Sequence, residues 1–320
     1  MLWFVARRVA QAVPMLLSVI LLIFVLMQFT PGDPVQAMVG QYPVPQSFRD
    51  SLTAEYHLNA PVWTQYWYFL VNLAHGNMGY SYASHESVTS LIAERLPNTL
   101  LLAGSGYIVG IVLGGVVGLI TATTKRRGFD TLMQTGVVTA YAIPSFWLGQ
   151  LLVMLFAVHL GWFPTQGMAP VDSNATGIYW FLERLSYLIL PMLTYAVYEG
   201  ARVTRLTRVS VIDTLNQGYI VTARMKGLSR WQTVRSHVIR NSSLPVVTAL
   251  GYSFAVAMGG SVLIETVFSW PGIGLLLVDS IKQRDNQVVI GLVVVIAVAV
   301  IVMNLLVDMA HALLDPRIRA

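Results

Sequence analysis

The sequence predicts an all-α, polytopic membrane protein with about six transmembrane helices. Three observations carry this. Of the 320 residues, 55% are hydrophobic and only 11% charged, whereas a soluble domain carries roughly a quarter charged residues. The apolar residues gather in runs near the ~20 residues that a helix needs to cross a bilayer. Lys and Arg collect on alternate sides of those runs, which is the pattern that fixes orientation. The net charge of +5 therefore matters through its position, and points to membrane lipid, not nucleic acid. The absence of cysteine excludes disulfides, thiolate catalysis and Cys-ligated metals.

The first run, Val9 to Phe29, follows the basic pair Arg7 and Arg8. It exceeds the roughly 7 to 15 apolar residues of a signal peptide and reads as a retained span. The others are Leu100 to Ile120, Val137 to His159, Leu185 to Ala201, Val246 to Ile264 and Val288 to Val307; the fourth is short and holds Pro191. One set of alternate faces holds Arg7, Arg8, Lys125 to Arg127, the arginines and Lys226 between 202 and 240, Arg317 and Arg319. Both termini and the 202–245 loop are therefore expected in the cytoplasm.

The long external loop, Thr30 to Thr99, leaves the first span through Pro31-Gly32-Asp33-Pro34, a turn. Within it Val62, Trp63, Tyr66, Trp67 and Leu70 have helical spacing. A short helix on the outer surface is expected there, as a brace in preference to a substrate contact. In the second run Gly106, Gly110, Gly114 and Gly118 recur every four residues, a face for close helix packing, static or sliding. In the third, Pro144 within Ala142 to Phe146 removes a backbone donor and predicts a kink, with Ser145 repairing the hydrogen bonding or lining a polar path. Arg202, Arg205 and Arg208 cluster on one side if the fourth helix runs on; anchoring to lipid phosphates accounts for them equally well.

Gly218 to Pro245 is a basic, polar island between apolar runs, and it cannot lie in hydrocarbon. Small residues Ala223 and Gly227 stand four apart, and Val234, Val238 and Ile239 form an apolar stripe. The pattern predicts a short helix, a glycine-permitted turn and a second helix, with Pro245 in the first turn of the fifth span.

Two classes fit less well. An ion-coupled transporter places ionisable residues deep in its spans, whereas Glu199, Glu265 and Asp308 read as lying near span ends. An intramembrane hydrolase would use Ser105, in Ala103-Gly104-Ser105-Gly106, with His159 or His311 as base; packing within the glycine stripe explains Ser105 better. The six histidines show no close metal-ligand spacing, although His75 and His85 share the external loop. No Gly-Lys dipeptide occurs, so the phosphate-cradling loop of an ATPase is missing.

The island carries a family signature. Tyr219-Ile220-Val221-Thr222-Ala223-Arg224-Met225-Lys226-Gly227-Leu228, then His237-Val238-Ile239-Arg240-Asn241 and Leu244-Pro245, resembles the permease subunits of the dipeptide/oligopeptide/nickel family of ATP-binding-cassette (ABC) importers. Val221 and Thr222 stand where the broader importer motif begins Glu-Ala, and the gap from Gly227 to Pro245 is longer than in sugar importers; both departures are similar to the peptide/nickel branch. Arg95-Leu96-Pro97-Asn98-Thr99-Leu100, Glu265 to Gly274 and Leu314-Asp315-Pro316-Arg317-Ile318-Arg319 extend the resemblance over nearly the whole chain.

The resemblance implies a type I importer transmembrane domain. Residues 1–95 would be the first span and external loop, 96–312 the core with its coupling loop at about 202–245, and 313–320 a cytoplasmic tail. It implies that Tyr219, Thr222, Ala223, Arg224, Lys226, Gly227 and Leu228 couple to an ATPase, with His237, Arg240, Asn241 and Pro245 at the loop exit. The implied partners are a second homologous permease, two ATPase subunits that bind ATP and magnesium, and an extracytoplasmic substrate-binding protein. This chain itself would bind no cofactor or metal and catalyse no reaction. Di- or oligopeptide is the expected substrate, with nickel chelate or glutathione as the alternatives, in a bacterial cytoplasmic membrane.

Overall fold

A computed structural model of the chain describes residues 2–29, 35, 45–55, 57–124, 126–170, 177–243, 246 and 261–314. The described residues are helical apart from loops and one two-residue hairpin, β1 (Tyr80–Ser81) against β2 (Glu86–Ser87), with Tyr80 opposite Ser87. The turn at 31–34, Lys125, Pro245, most of the fifth predicted span and the tail beyond 314 lie outside the described residues.

Helix α1 (Leu2–Gln28) holds Pro14, and the Ser18 hydroxyl donates to the Pro14 carbonyl at 2.7 Å. The external loop contributes α2 (Gln46–Glu55) and α3 (Val62–Ala74). The latter is the short helix that the Trp/Tyr spacing predicts. It leans Tyr66 and Phe69 on Phe24 of α1, at ring-centroid distances of 5.2 and 5.9 Å, and leaves Trp63 83% exposed. An aromatic face of this kind favours a membrane interface.

Helix α4 (Val88–Thr123) is capped by Ser87, whose hydroxyl accepts from the Ser90 amide. Helix α5 (Arg127–Ala142) ends where Ile143 turns extended, at ψ 125°, because the following proline disfavours helical backbone. Helix α6 (Ser145–Leu152) then runs on as a π-helical stretch, Val153–His159, and the α5–α6 pair is bent by 103°. The predicted kink is thus a sharp corner. Helix α7 (Gly177–Leu215) is 39 residues long with Pro191 inside it, so Arg202, Arg205 and Arg208 are indeed helical.

Among the described residues three helices are long and apolar enough to cross a membrane, Ala6–Gln28, Val88–Thr123 and Asn286–Leu306, or four if the bent α5–α6 pair is one span. The fourth predicted run lies inside α7, which has the length but is more polar. Of the fifth, Val246 and residues 261–264 are described.

The centre of the fold is the seam between α4 and α7. A β-carbon on Gly106 would meet Tyr195, one on Gly110 would meet Ala196 and Glu199, one on Gly114 would meet Gly200 and Val203, and one on Gly118 would meet Thr204 and Thr207. The register rises together, so the helices run parallel, as two spans separated by one return span must. Thr204 spans the seam, its hydroxyl lying 3.2 Å from the Gly114 carbonyl and 2.8 Å from that of Gly200. The stripe therefore serves close packing against one defined partner. Above it, Leu102, Ala103 and Tyr107 of α4 join Leu188, Leu190 and Tyr195 of α7, with Phe268 and Trp270, in the main hydrophobic core.

This register corrects one expectation. The apolar run 100–120 has its middle at Gly110, and Gly110 packs on Glu199. Glu199, 5% exposed, lies at mid-depth of the span, not at its end. The boundary of a run interrupted by Pro191 misplaced it.

The chain closes with a short helix α8 at 261–267, α9 (Ile273–Gln283) and α10 (Asn286–Leu314). The α9–α10 corner is pinned by Asp285. Its carboxylate accepts from the Val288 amide at 3.3 Å and from the Ser81 hydroxyl of β1 at 2.5 Å. At the opposite end Arg8 of α1 pairs with Asp308 of α10 at 3.1 Å.

Candidate functional site

The basic island folds as predicted. Residues Gly218–Met225 form one helix, hereafter the loop helix, and Arg230–Thr233 start a second that continues through a π-helical turn, Val234–Val238. The turn between them is set by Gly227, at φ +84°. Its amide donates to the Arg224 carbonyl at 3.0 Å and the Leu228 amide to the Ala223 carbonyl at 3.4 Å, the paired bonds of a Schellman stop. The second helix begins with a capping box, in which Ser229 and Gln232 each bond the other's backbone.

Underneath, Ile220, Val234 and Val238 bury against Val211 of α7, with Leu119 and Ala122 of α4 beside them. Arg230 donates to the Thr123 carbonyl at the end of α4. The loop is thereby fixed to the same two helices that form the seam.

Ala223 is buried and Gly227 is exposed, so the two small residues form no shared docking face. Thr222 is exposed and bonds back to the Gly218 carbonyl; Arg224 and Lys226 are exposed, and Leu228 is half-buried. The two halves of the motif meet where Asn241 donates to the Tyr219 hydroxyl at 3.0 Å and to the His237 carbonyl at 2.9 Å. His237 is half-buried and Arg240 exposed; Pro245 lies outside the described residues. What points outward is Val221 with Met225, 82% exposed, and Trp231, 66% exposed, among Arg224, Lys226 and Arg230. For Val221 and Met225 the i, i+4 spacing opposite buried Ile220 and Ala223 is a signal the sequence carries; Trp231, on the second helix, has none of this kind.

A second constellation joins two motifs far apart in sequence. Glu265, fully buried, accepts from the Thr99 hydroxyl at 2.7 Å and from the Gly274 and Leu275 amides at 2.7 and 3.0 Å. It thus caps the N-terminus of α9, where unpaired amides and the helix dipole favour a carboxylate. Asn98 and Trp270 reinforce the joint through bonds to the Pro271 and Asn98 carbonyls, at 2.8 and 2.9 Å. Gly272 and Gly274 belong to this motif because a β-carbon at either would strike the Glu265 carboxylate.

The α7 arginines have partners within the protein. Arg208 takes Asp130 of α5 with two bonds, at 3.3 and 2.8 Å, Arg202 pairs with Glu199 at 2.5 Å, and Arg205 lies 4.6 Å above the Tyr141 ring. Lipid anchoring is not needed to explain them. Ser105 donates to the Leu102 carbonyl of its own helix at 3.1 Å, the local bond expected of a packing residue. His75 bonds the Val71 carbonyl at 2.8 Å, at the end of α3.

The described residues thus form a bundle of long apolar helices with a basic loop fixed rigidly to two of them. Its sequence places it in a family: residues 114–320 match the binding-protein-dependent transport system inner membrane component, residues 1–103 match the N-terminal part of such membrane components, and the chain belongs to this family. It is 38% identical over 316 residues to the oligopeptide transport system permease protein AppB of Bacillus subtilis, covering 98% of each chain. It is 35% identical over 336 residues to the dipeptide transport system permease protein DppB of Escherichia coli, covering 100% of this chain and 99% of that one. A chain of the methionine ABC transporter MetNI, inward facing, shares the fold with a TM-score of 0.55 at 16% identity, over 70% of this chain and 96% of that one. An amino acid ABC transporter chain does so at 0.54, also at 16% identity, over 70% and 94%.

Proposed function

We propose that this chain is one permease subunit of an ATP-driven importer that carries peptides across a bacterial cytoplasmic membrane. The observation that carries the reading is the outward edge of the basic loop, Val221, Met225 and Trp231 among Arg224, Lys226 and Arg230, fixed to the ends of α4 and α7. Apolar side chains held in a basic, exposed helix suit a protein groove, and their rigid mounting passes a partner's movement to the spans as a body.

The partner that fits is a separate ATPase pair holding ATP and magnesium. A second, similar permease completes the pathway, and a substrate-binding protein delivers from the other side. The loop and both termini then face the cytoplasm, in line with the Lys and Arg distribution. Peptide is the cargo because relatives matched over their full length are named for oligopeptide and dipeptide transport. No chemical step falls to this chain.

Uptake of a labelled peptide by cells expressing the complete system tests the reading. Uptake should persist under a protonophore while ATP is held constant, and stop when ATP is depleted. Uptake abolished by the protonophore at constant ATP would make the chain an ion-coupled carrier.

A further inference from the structure

Glu199, Arg202 and Arg205 of α7 lie together with Tyr141 of α5 and Tyr198 of α7, beside an apolar run where charged groups are costly. Glu199 is level with Gly110, the middle of the apolar run of α4. At 1.5 Å per residue, Arg202 and Arg205 stand only about 5 and 9 Å along α7 from that level, inside the ~15 Å half-thickness of a bilayer core.

Glu199 is buried at the α4 seam; the other four do not face it. Tyr198, Tyr141 and Arg205 are exposed and Arg202 is half-buried. Tyr141 and Tyr198 stack with ring centroids 5.5 Å apart and planes 13° from parallel, and Arg205 covers the Tyr141 ring. A guanidinium open at this depth needs water or a partner.

Two further atoms carry the same message. Arg202 Nε and Gln134 Nε2 are buried and have no hydrogen-bond partner among the described residues. Gln134 stands four residues after Asp130 and seven before Tyr141, on the face of α5 that meets α7 through the Asp130–Arg208 pair. Buried donors left open in this way mark a place for water or a ligand.

The charge is not balanced. Glu199 neutralises Arg202, whereas Arg205 has no carboxylate partner among the described residues. From this geometry we infer that the Tyr198–Arg205 face of α7, with Tyr141 and Gln134 of α5, lines the aqueous translocation pathway, and that Arg205 receives the C-terminal carboxylate of the peptide. This rests on the proposed function for the identity of the cargo, but not for the exposure of the face to water. A lipid phosphate would offer Arg205 similar anionic chemistry; the comparison of free acid with C-terminal amide separates the two, since a lipid contact would be lost equally for both.

The natural absence of cysteine makes the test direct. Tyr198→Cys, Arg205→Cys and, on an exposed position of α4, Val112→Cys are introduced singly, and the assembled transporter in proteoliposomes is treated with a charged, membrane-impermeant methanethiosulfonate added to both sides. Modification is read as a mass shift of this chain. Tyr198→Cys and Arg205→Cys are expected to react at least tenfold faster than Val112→Cys, and a tripeptide with a free carboxylate to slow both. Equal rates at all three positions, or no reaction at 198 and 205, would overturn the aqueous face.

For the carboxylate, uptake of a tripeptide is compared with that of its C-terminal amide. Arg205→Gln is expected to raise KM roughly tenfold for the free acid, the scale of a lost charge-assisted bond, and to leave the amide within about twofold. Arg205→Lys should restore part of the difference. Equal effects on acid and amide would overturn the role of Arg205. A wild-type system that took up no peptide would instead contradict the proposed cargo, while thiol labelling would still decide whether the face is wet.

Discussion

Gly114 and Gly200 meet backbone to backbone: a β-carbon on Gly114 would lie 2.5 Å from the Gly200 carbonyl oxygen. The contact sets the separation and register of α4 and α7, and through them the position of every charged residue on α7.

Gly114→Ala is therefore expected to destabilise the protein by about 1–3 kcal/mol, the usual cost of forcing atoms into a filled contact. Gly115→Ala, one residue along where a β-carbon meets nothing within 4 Å, should be neutral. Thermal unfolding of the two variants in the same detergent checks this. A Tm for Gly114→Ala equal to that of Gly115→Ala would mean that the seam is looser than described.

Glu265 ties Thr99 of α4 to the start of α9, so its loss strands the α9 amides as well as the Thr99 hydroxyl. Glu265→Ala should cost about 2–3 kcal/mol, the scale of bonds to a buried charge, and Thr99→Val about 1–2. Because the two share one bond, the double variant should lose less than the sum. Strictly additive losses would show that the Thr99–Glu265 bond contributes nothing.

Gly227 is demanded by its backbone, since nothing lies within 4 Å of a β-carbon there. Gly227→Ala is expected to lose about 1–2 kcal/mol of local stability, the penalty for a side chain in the left-handed region. It should speed amide exchange at residues 226–230 and lower peptide uptake per ATP hydrolysed, at an unchanged amount of protein in the membrane. Unaltered exchange would contradict the Schellman stop, and unaltered coupling would contradict the loop's role.

The elements were largely legible in the sequence because each is governed by its own residues: run length for α1, α4 and α10, Pro144 for the α5–α6 corner, and the Gly227 turn between two short helices. Partners were not. The glycines at 106 to 118 announce that something comes close, but nothing local names Tyr195, Gly200 or Thr207 as what does. The motifs around Thr99 and Glu265 were both visible, yet their meeting depends on tertiary folding across 166 residues. Ala223 and Gly227 look alike as small residues. One proves to be small because it packs inward and the other because its φ is positive, a difference in backbone that composition does not carry. Glu199 was misjudged for a related reason, since its depth is set by the register against α4 and not by the ends of its own apolar run.

The measurement that bears most directly on the central claim is copurification in a mild detergent, with the tagged wild-type chain compared against Val221→Asp/Met225→Asp. Mass spectrometry of the wild-type eluate should find one related permease and one or two ATPases with phosphate-binding loops. The double variant, whose changes fall on exposed side chains, should keep the permease and lose the ATPases. A wild-type chain that elutes alone across several gentle detergents, or a double variant that retains the ATPases in full, would contradict the account.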